Sequence, residues 1–107
     1  SSRNVYLNAP ERAAAVIVPK TLAEAERLYH SGLRDVAAFE DALKRFIATE
    51  PLADPEVVAL RDPDTLEEIE TIGDRPALVL LYIRIGKTKL LDNCLIGRSL
   101  AETHRAA

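Results

Sequence analysis

The stretch ALVLLYIRI, residues 77–85, decides the fold class of this chain. It is apolar at nearly every position, and Gly86 follows it directly. Successive side chains of a strand point to opposite faces of a sheet, so a run of this kind predicts a strand that is buried on both faces. It is far shorter than the roughly 20 apolar residues that span a membrane, and no membrane partner is expected. The stretch therefore predicts a long central strand.

Weaker strand signals precede this segment. Residues 57–60, VVAL, form a short strand candidate, and Asp62-Pro63-Asp64-Thr65 predicts a tight turn. Residues 67–71 predict a weak returning strand, whereas residues 90–93 read as extended or irregular. We expect a small three-stranded antiparallel sheet over residues 56–95 and a tail over residues 96–107.

The first half of the chain reads as helical after a loop over residues 1–9. Asn8 can cap a helix that begins at Pro10, and Glu11 suits its positive end. Pro19 should kink or split this helix, and Gly32 should end it. The expected apolar stripe consists of Ala14, Val18, Leu22, Ala25 and Leu28.

A second helix is predicted between Asp35 and Pro51. Its apolar stripe consists of Val36, Phe39, Leu43, Phe46 and Ile47. The two helices form a helical hairpin over residues 10–50. Helices followed by strands predict an α+β fold, in which the helical hairpin packs on the small three-stranded antiparallel sheet.

Composition narrows the classes of function. The chain has 107 residues, a net charge of -3 and a single cysteine, Cys94. No strongly basic face is expected, which disfavours nucleic acid as a partner. One cysteine cannot form an intrachain disulfide, so a reducing, cytoplasmic setting is expected. The chain has no Met and starts SSRN, which we interpret as a segment of a larger protein.

The triplet Gly86-Lys87-Thr88 matches the end of a phosphate-binding loop. Such a loop needs another Gly five residues before the final Gly, but Leu81 stands there within the apolar strand. The loop should also lead into a helix, and none is predicted. We interpret the triplet as a turn at the end of the long strand, with a nucleotide-binding loop as the alternative.

Other side chains give no self-contained site. His30 and His104 have no ligand at metal spacing, so no metal site is predicted. Cys94 is interpreted as a small buried residue. The acidic residues from 62 to 70 are interpreted as a solvated turn rather than a cation site. Ser1, Ser2 and Arg3 could cradle phosphate, but this signal is weak by itself.

Three motifs together resemble the pantoate–β-alanine ligase (pantothenate synthetase) family. SSRNVYLNAPER at 1–12 is similar to the start of that family's carboxy-terminal domain, and GKTKLLDN at 86–93 is similar to its closing motif. RDPDTLE at 61–67 resembles the Asp-Pro-x-Thr-Leu turn between them. The order and spacing agree as far as about residue 95.

The resemblance implies that residues 1–107 form the carboxy-terminal lid domain of an ATP-dependent ligase. Such enzymes form a pantoyl adenylate from pantoate, ATP and Mg²⁺, and β-alanine then displaces AMP. The resemblance implies that Ser1, Ser2 and Arg3 bind the ATP phosphates and that this domain supplies no catalytic residue. It also implies a homodimer formed through an amino-terminal domain. The isolated chain is therefore expected to be inactive.

Two alternatives to the lid domain stay open at this stage. The chain could be a stand-alone interaction module that has the fold without ligase activity. It could instead be a nucleotide-binding protein that uses Lys87, against which Leu81 argues.

Overall fold

Three helices precede three strands in the computed structural model, which describes residues 7–97. Along the chain, the elements are α1 (Ala9–Ala14), α2 (Ile17–His30), α3 (Val36–Ile47), β1 (Ala53–Arg61), β2 (Ala77–Ile85) and β3 (Thr88–Ile96). The strands form one antiparallel sheet in the order β1-β2-β3. The predicted α+β fold, a helical hairpin on a three-stranded antiparallel sheet, is confirmed. None of the helices within residues 7–97 is long and apolar enough to cross a membrane.

The helical segments begin and end where the sequence provides caps and breakers. Pro19 is the third residue of α2, and the break from α1 lies just before that helix. Proline has no N–H and crowds the carbonyl four residues earlier, but it is tolerated in a first turn, so the helix restarts upstream of it. At the other end of α2, Gly32 has a φ of 107°. Its N–H donates to the Tyr29 carbonyl, and the next N–H, of Leu33, donates to the Leu28 carbonyl. This pair of bonds closes the carboxyl end of the helix.

The core lies between the helices and one face of the sheet. Helix α3 packs on β1, and α2 packs on β2, β3 and α3. The side chains with almost no exposure include Phe39, Leu43, Ile47, Leu60, Val79, Leu81, Ile83 and Ile85. The predicted apolar stripe of α3 is confirmed at Val36, Phe39, Leu43 and Ile47, whereas Phe46 is half-buried.

The central strand is confirmed in place but not in its burial on both faces. Ala77 and every second residue to Ile85 are buried, whereas Leu78, Leu80 and Tyr82 between them are only half-buried. The helices cover one face, and the three half-buried side chains lie on the other. A continuous apolar run does not by itself show whether a second layer covers that face.

Strand β1 is longer than the sequence indicates. It begins at Ala53 and includes Pro55, after which the register with β2 shifts at a bulge before Val57. The strand candidate in the sequence starts only at Val57. Proline cannot donate to a ladder. It is tolerated on an edge strand and at a bulge, and both conditions hold here.

The predicted returning strand over residues 67–71 is wrong. Only isolated bridges occur there, Arg61 with Glu68 and Asp35 with Thr71. The Glu70 carbonyl instead accepts from Val36 N–H at the start of α3, at 3.0 Å. The third strand is β3, which covers the residues that the sequence pattern indicates only as extended or irregular.

Candidate functional site

The predicted phosphate-binding residues Ser1, Ser2 and Arg3 lie outside the described residues, as does His104. The described chain begins at Leu7, which is only 4% exposed and belongs to the main core. The point at which the amino-terminal segment joins the domain is therefore fixed by burial. This junction and the residues that hold it form the candidate site.

A reciprocal pair of hydrogen bonds fixes the start of α1. The Asn8 side chain accepts from Glu11 N–H at 2.9 Å, and Glu11 Oε1 accepts from Asn8 N–H at 3.0 Å. Each bond satisfies an N–H that the first turn of a helix leaves without a partner. The predicted Asn8 cap is confirmed, and Glu11 has a larger role than its charge alone indicates.

The triplet at 86–88 is a turn and not a phosphate loop. Ile85 pairs with Thr88, so Gly86 and Lys87 form a two-residue connection between β2 and β3. A strand follows instead of the helix that a phosphate loop requires, which contradicts the nucleotide-loop alternative. Gly86 has a φ of 61°, whereas Lys87 is not among the described residues with positive φ. Glycine at the first turn position is typical of one of the two favoured hairpin turns.

Gly86 is the second point of contact for Glu11. A Cβ built at Gly86 would overlap Glu11 Oε2 and would lie 2.9 Å from Glu11 Cδ. No side chain can occupy this position unless the carboxylate moves. The turn between β2 and β3 therefore lies directly against the start of α1.

Charged side chains surround this end of the sheet. Arg84 Nη2 lies 2.6 Å from an Asp54 carboxylate oxygen, and Arg84 Nε lies 3.6 Å from Glu56. Lys89 lies 3.9 Å from Glu56, and its ammonium is 5.4 Å from the centre of the Tyr82 ring. These pairs are partly exposed, so each contributes little to stability and mainly keeps the local charge balanced.

The acidic segment after β1 is a turn held by hydrogen bonds. Asp62 Oδ1 accepts from the N–H groups of Asp64 and Thr65, at 2.8 and 3.1 Å. These backbone bonds, with the Arg75 charge at 3.1 Å as a further cause, lower the pKa of Asp62. Arg75 also pairs with Asp64. Within residues 7–97, no three His, Cys, Asp or Glu side chains are grouped so as to hold a metal ion.

Cys94 lies against the core, and His30 lies in the last turn of α2. Cys94 is half-buried and packs against the core. Burial, with Glu26 and Asp92 as further causes, raises the pKa of its thiol to about 11. A thiol with this pKa stays protonated near neutral pH and is a weak nucleophile. His30 lies at the end of α2, with its ring edge-on to Tyr29.

The residues of the closing motif, GKTKLLDN at 86–93, have mostly structural roles. Leu90 is buried, whereas Leu91 is 61% exposed, because strand neighbours alternate between faces. Asp92 Oδ1 accepts from the N–H of Asn93 at 2.8 Å, a local bond to the backbone.

The contact between Glu11 and Gly86 was not predicted from the sequence. The two residues are far apart along the chain and belong to different motifs. The Asn8-x-x-Glu11 spacing of a capping box could have indicated the bonds between Glu11 and Asn8, but not the contact with Gly86. No local pattern indicates which element a turn glycine will meet.

Comparisons with known proteins match most or all of the chain. The family model described as pantoate-beta-alanine ligase matches residues 1–95. The pantothenate synthetase of Rhizobium rhizogenes is 60% identical over all 107 residues, which span 37% of that protein. The pantothenate synthetase of Brucella anthropi is 61% identical over 102 residues, 95% of this chain and 35% of that protein.

Solved structures show the same relationship. A crystal structure of pantothenate synthetase from Thermus thermophilus superposes with a TM-score of 0.78 at 26% identity, over 88% of this chain and 33% of that one. A second structure from the same organism gives 0.72 at 25% identity, with the same coverage. The chain thus spans about a third of the length of the relatives it matches.

Proposed function

The chain belongs to the pantoate–beta-alanine ligase family, and we propose that it is the carboxy-terminal domain of a full-length enzyme that makes pantothenate. The observation that carries this proposal is the identity of 60% to a pantothenate synthetase along the whole of the chain. Three separate motifs, at 1–12, 61–67 and 86–93, lie within the matched region. The likeness therefore extends over the domain and does not rest on one motif.

The proposed reaction has two steps. A carboxylate oxygen of pantoate attacks the α-phosphorus of ATP, the bond to the β-phosphate breaks, and pyrophosphate leaves with pantoyl adenylate formed. The amine of β-alanine then attacks the acyl carbon, and AMP leaves as the amide bond of pantothenate forms and the amine loses a proton. Mg²⁺ is proposed to enter with ATP, bound to phosphate oxygens.

Within this reaction, Ser1, Ser2 and Arg3 are proposed to bind the ATP phosphates. Their hydroxyl and backbone N–H groups donate to phosphate oxygens, and a guanidinium fits two oxygens at once. Arg3 would offset the charge that builds on the departing pyrophosphate. The buried Leu7 and the capped start of α1 support this role, because they give the segment a fixed origin on the domain.

The domain is proposed to act as a lid. Closing over the active site would bring the phosphate-binding segment to ATP and shield the adenylate from water. We propose that this domain supplies no catalytic residue. The isolated chain is then expected to fold without making AMP, and the full-length enzyme is proposed to be a homodimer through its amino-terminal part.

The test is an assay of AMP release by the full-length protein. The mixture contains ATP, Mg²⁺, pantoate and β-alanine, and each acid is omitted in turn. AMP is expected only with both acids present. Arg3→Ala should lower the rate by roughly a hundredfold or more, the magnitude expected for losing one donor to developing charge.

Arg27→Ala is the matched control, since Arg27 is an exposed arginine of α2 paired with Glu24. Its effect on the rate should be small. Absence of AMP from a folded full-length protein would overturn the ligase proposal. An equal loss in both variants would overturn only the phosphate role of Arg3.

A further inference from the structure

We propose that Glu11 and Gly86 are positioning residues for the ATP-phosphate segment, and that the turn between β2 and β3 sets where this segment leaves the domain. The inference rests on the proposed function of Ser1, Ser2 and Arg3. Neither positioning residue touches substrate in this proposal. They act through the backbone of Leu7 and Asn8.

One carboxylate, that of Glu11, joins two elements. Glu11 Oε1 accepts from the Asn8 N–H at 3.0 Å. Glu11 Oε2 occupies the space that a side chain at Gly86 would need, since it would overlap an ideal Cβ there. The side chain that fixes the start of α1 is thus itself located by the hairpin turn.

The contact with Glu11 requires glycine at position 86. The positive φ favours glycine, and the nearness of Glu11 excludes a Cβ at the same time. The atom in the way is the end of a flexible side chain, so Gly86→Ala is expected to displace Glu11 rather than prevent folding. The displaced carboxylate can no longer accept from Asn8 N–H with the same geometry.

The bond between Glu11 and Asn8 lies only a few residues along the chain from the phosphate segment. Arg3 lies five residues before Asn8, and five residues of fully extended chain span at most about 18 Å. Leu7 is buried, and this burial limits the positions at which the amino-terminal segment can join the domain. A change in the backbone at Asn8 therefore changes the origin from which Arg3 must reach the phosphates, and small misplacements have large effects on rate.

The test measures the KM for ATP, kcat and melting temperature of the full-length protein and five variants. Glu11→Ala removes both contacts, and Glu11→Gln keeps an acceptor at Oε1 and nearly the same shape. Gly86→Ala displaces Glu11, whereas Gly32→Ala places a Cβ on a glycine with φ of 107° and nothing within 4 Å. Arg3→Ala reports whether the phosphate segment works as proposed.

We expect Glu11→Ala and Gly86→Ala to raise the KM for ATP about tenfold, with little change in the KM for β-alanine. Glu11→Gln and Gly32→Ala should stay within about twofold of the unmodified protein, although Gly32→Ala lowers the melting temperature. Recovery in the Gln variant would distinguish positioning from a general loss of stability.

The inference is overturned if Glu11→Ala and Gly86→Ala lower the melting temperature while the KM for ATP stays unchanged. If Gly86→Ala fails to fold, the Glu11 pair of variants decides alone. If the unmodified protein releases no AMP, the ligase proposal has failed. If Arg3→Ala has no effect, only the phosphate role of Arg3 has failed. In either case the inference fails as well. If Arg3→Ala lowers the rate but Glu11→Ala leaves the KM for ATP unchanged, the proposed function stands and only the inference is overturned.

Discussion

Two turns of this domain place a residue at nearly the same positive φ and hold it by different means. Gly86, between β2 and β3, has a φ of 61°, and Leu66, in the connection from β1 to β2, has a φ of 64°. Gly86 lies against Glu11, whereas the Leu66 side chain is 55% exposed. The comparison shows that a positive φ alone does not demand glycine. At Gly86 the hairpin turn and the close approach of a second element demand it together.

Hydrogen bonds compensate for the strain at Leu66. Its N–H donates to the Asp62 carbonyl at 2.8 Å, and its carbonyl accepts from the Arg61 guanidinium at 3.2 Å. The Asp62 N–H in turn donates to the Glu67 carbonyl at 2.9 Å, which closes the loop. A leucine is tolerated in this conformation because its side chain has room and its backbone groups are satisfied.

The largest effect is expected from Gly86→Ala, which tests the role of close approach. Strain at positive φ costs about 1–2 kcal/mol, and loss of the Glu11 half of the capping box adds about 1 kcal/mol. The total, about 2–3 kcal/mol, should appear as a lower free energy of unfolding in a denaturant titration. Gly32→Ala is the control, with the strain alone. Equal losses in the two variants would contradict the comparison.

The substitution Glu11→Ala tests how far the need for glycine at position 86 depends on the Glu11 carboxylate. It should cost about 1 kcal/mol by removing one reciprocal cap, and it should make the Gly86 substitution less destabilising because the carboxylate is gone. The double mutant Glu11→Ala/Gly86→Ala completes a cycle of unfolding free energies. Strict additivity would show that the methyl group introduced by Gly86→Ala does not meet Glu11.

Leu66→Asn tests the other turn. Asparagine adopts positive φ more readily than leucine, and the replaced side chain is exposed, so we expect a gain of about 0.5 kcal/mol in stability. Leu66→Val, which adds a β-branch at the strained position, should instead lose stability. A loss in the asparagine variant, measured by thermal unfolding, would show that the Leu66 side chain makes a stabilising contact.

The smallest effect is expected from Asp62→Asn, and its dependence on pH is the informative part. The pKa of Asp62 is lowered in the folded protein, so its charge stabilises the fold at pH values above the unfolded pKa. That contribution is lost as the pH falls through the folded pKa. The unmodified protein should be slightly more stable than the asparagine variant at neutral pH. This difference in the free energy of unfolding should shrink below about pH 4. An advantage that stays constant down to about pH 2 would exclude the charge as its source.

Local chemistry made much of the fold predictable. The Asn8 and Asp35 caps, the Gly32 helix end and strand β2 each follow from neighbouring residues. The errors arose where distant parts of the chain compete for one segment. Residues 67–71 bond to the start of α3 instead of forming a strand. Strand β1 includes Pro55, beside a bulge, and so begins before the strand candidate at Val57.

The candidate site was harder to predict from the sequence than the fold was. Ser1, Ser2 and Arg3 came from a family resemblance, because small hydroxyl residues beside an arginine are common in any chain. The Glu11–Gly86 contact depends on how α1 packs against a hairpin, which no spacing within either motif encodes. The roles of all five residues stay proposals that the assays above test.

The two-residue connection at Gly86 also bears on the order of events in folding. Closing so short a loop costs little chain entropy, whereas β1 reaches β2 only after 15 intervening residues, 62–76, have been ordered. We therefore expect β2 and β3 to pair in the folding transition state and β1 to join later. On that account, substitutions at Gly86 should slow folding, and substitutions at Leu66 should mainly speed unfolding. Stopped-flow measurements of both rates would show whether the hairpin turn at one glycine determines the folding rate of the whole domain.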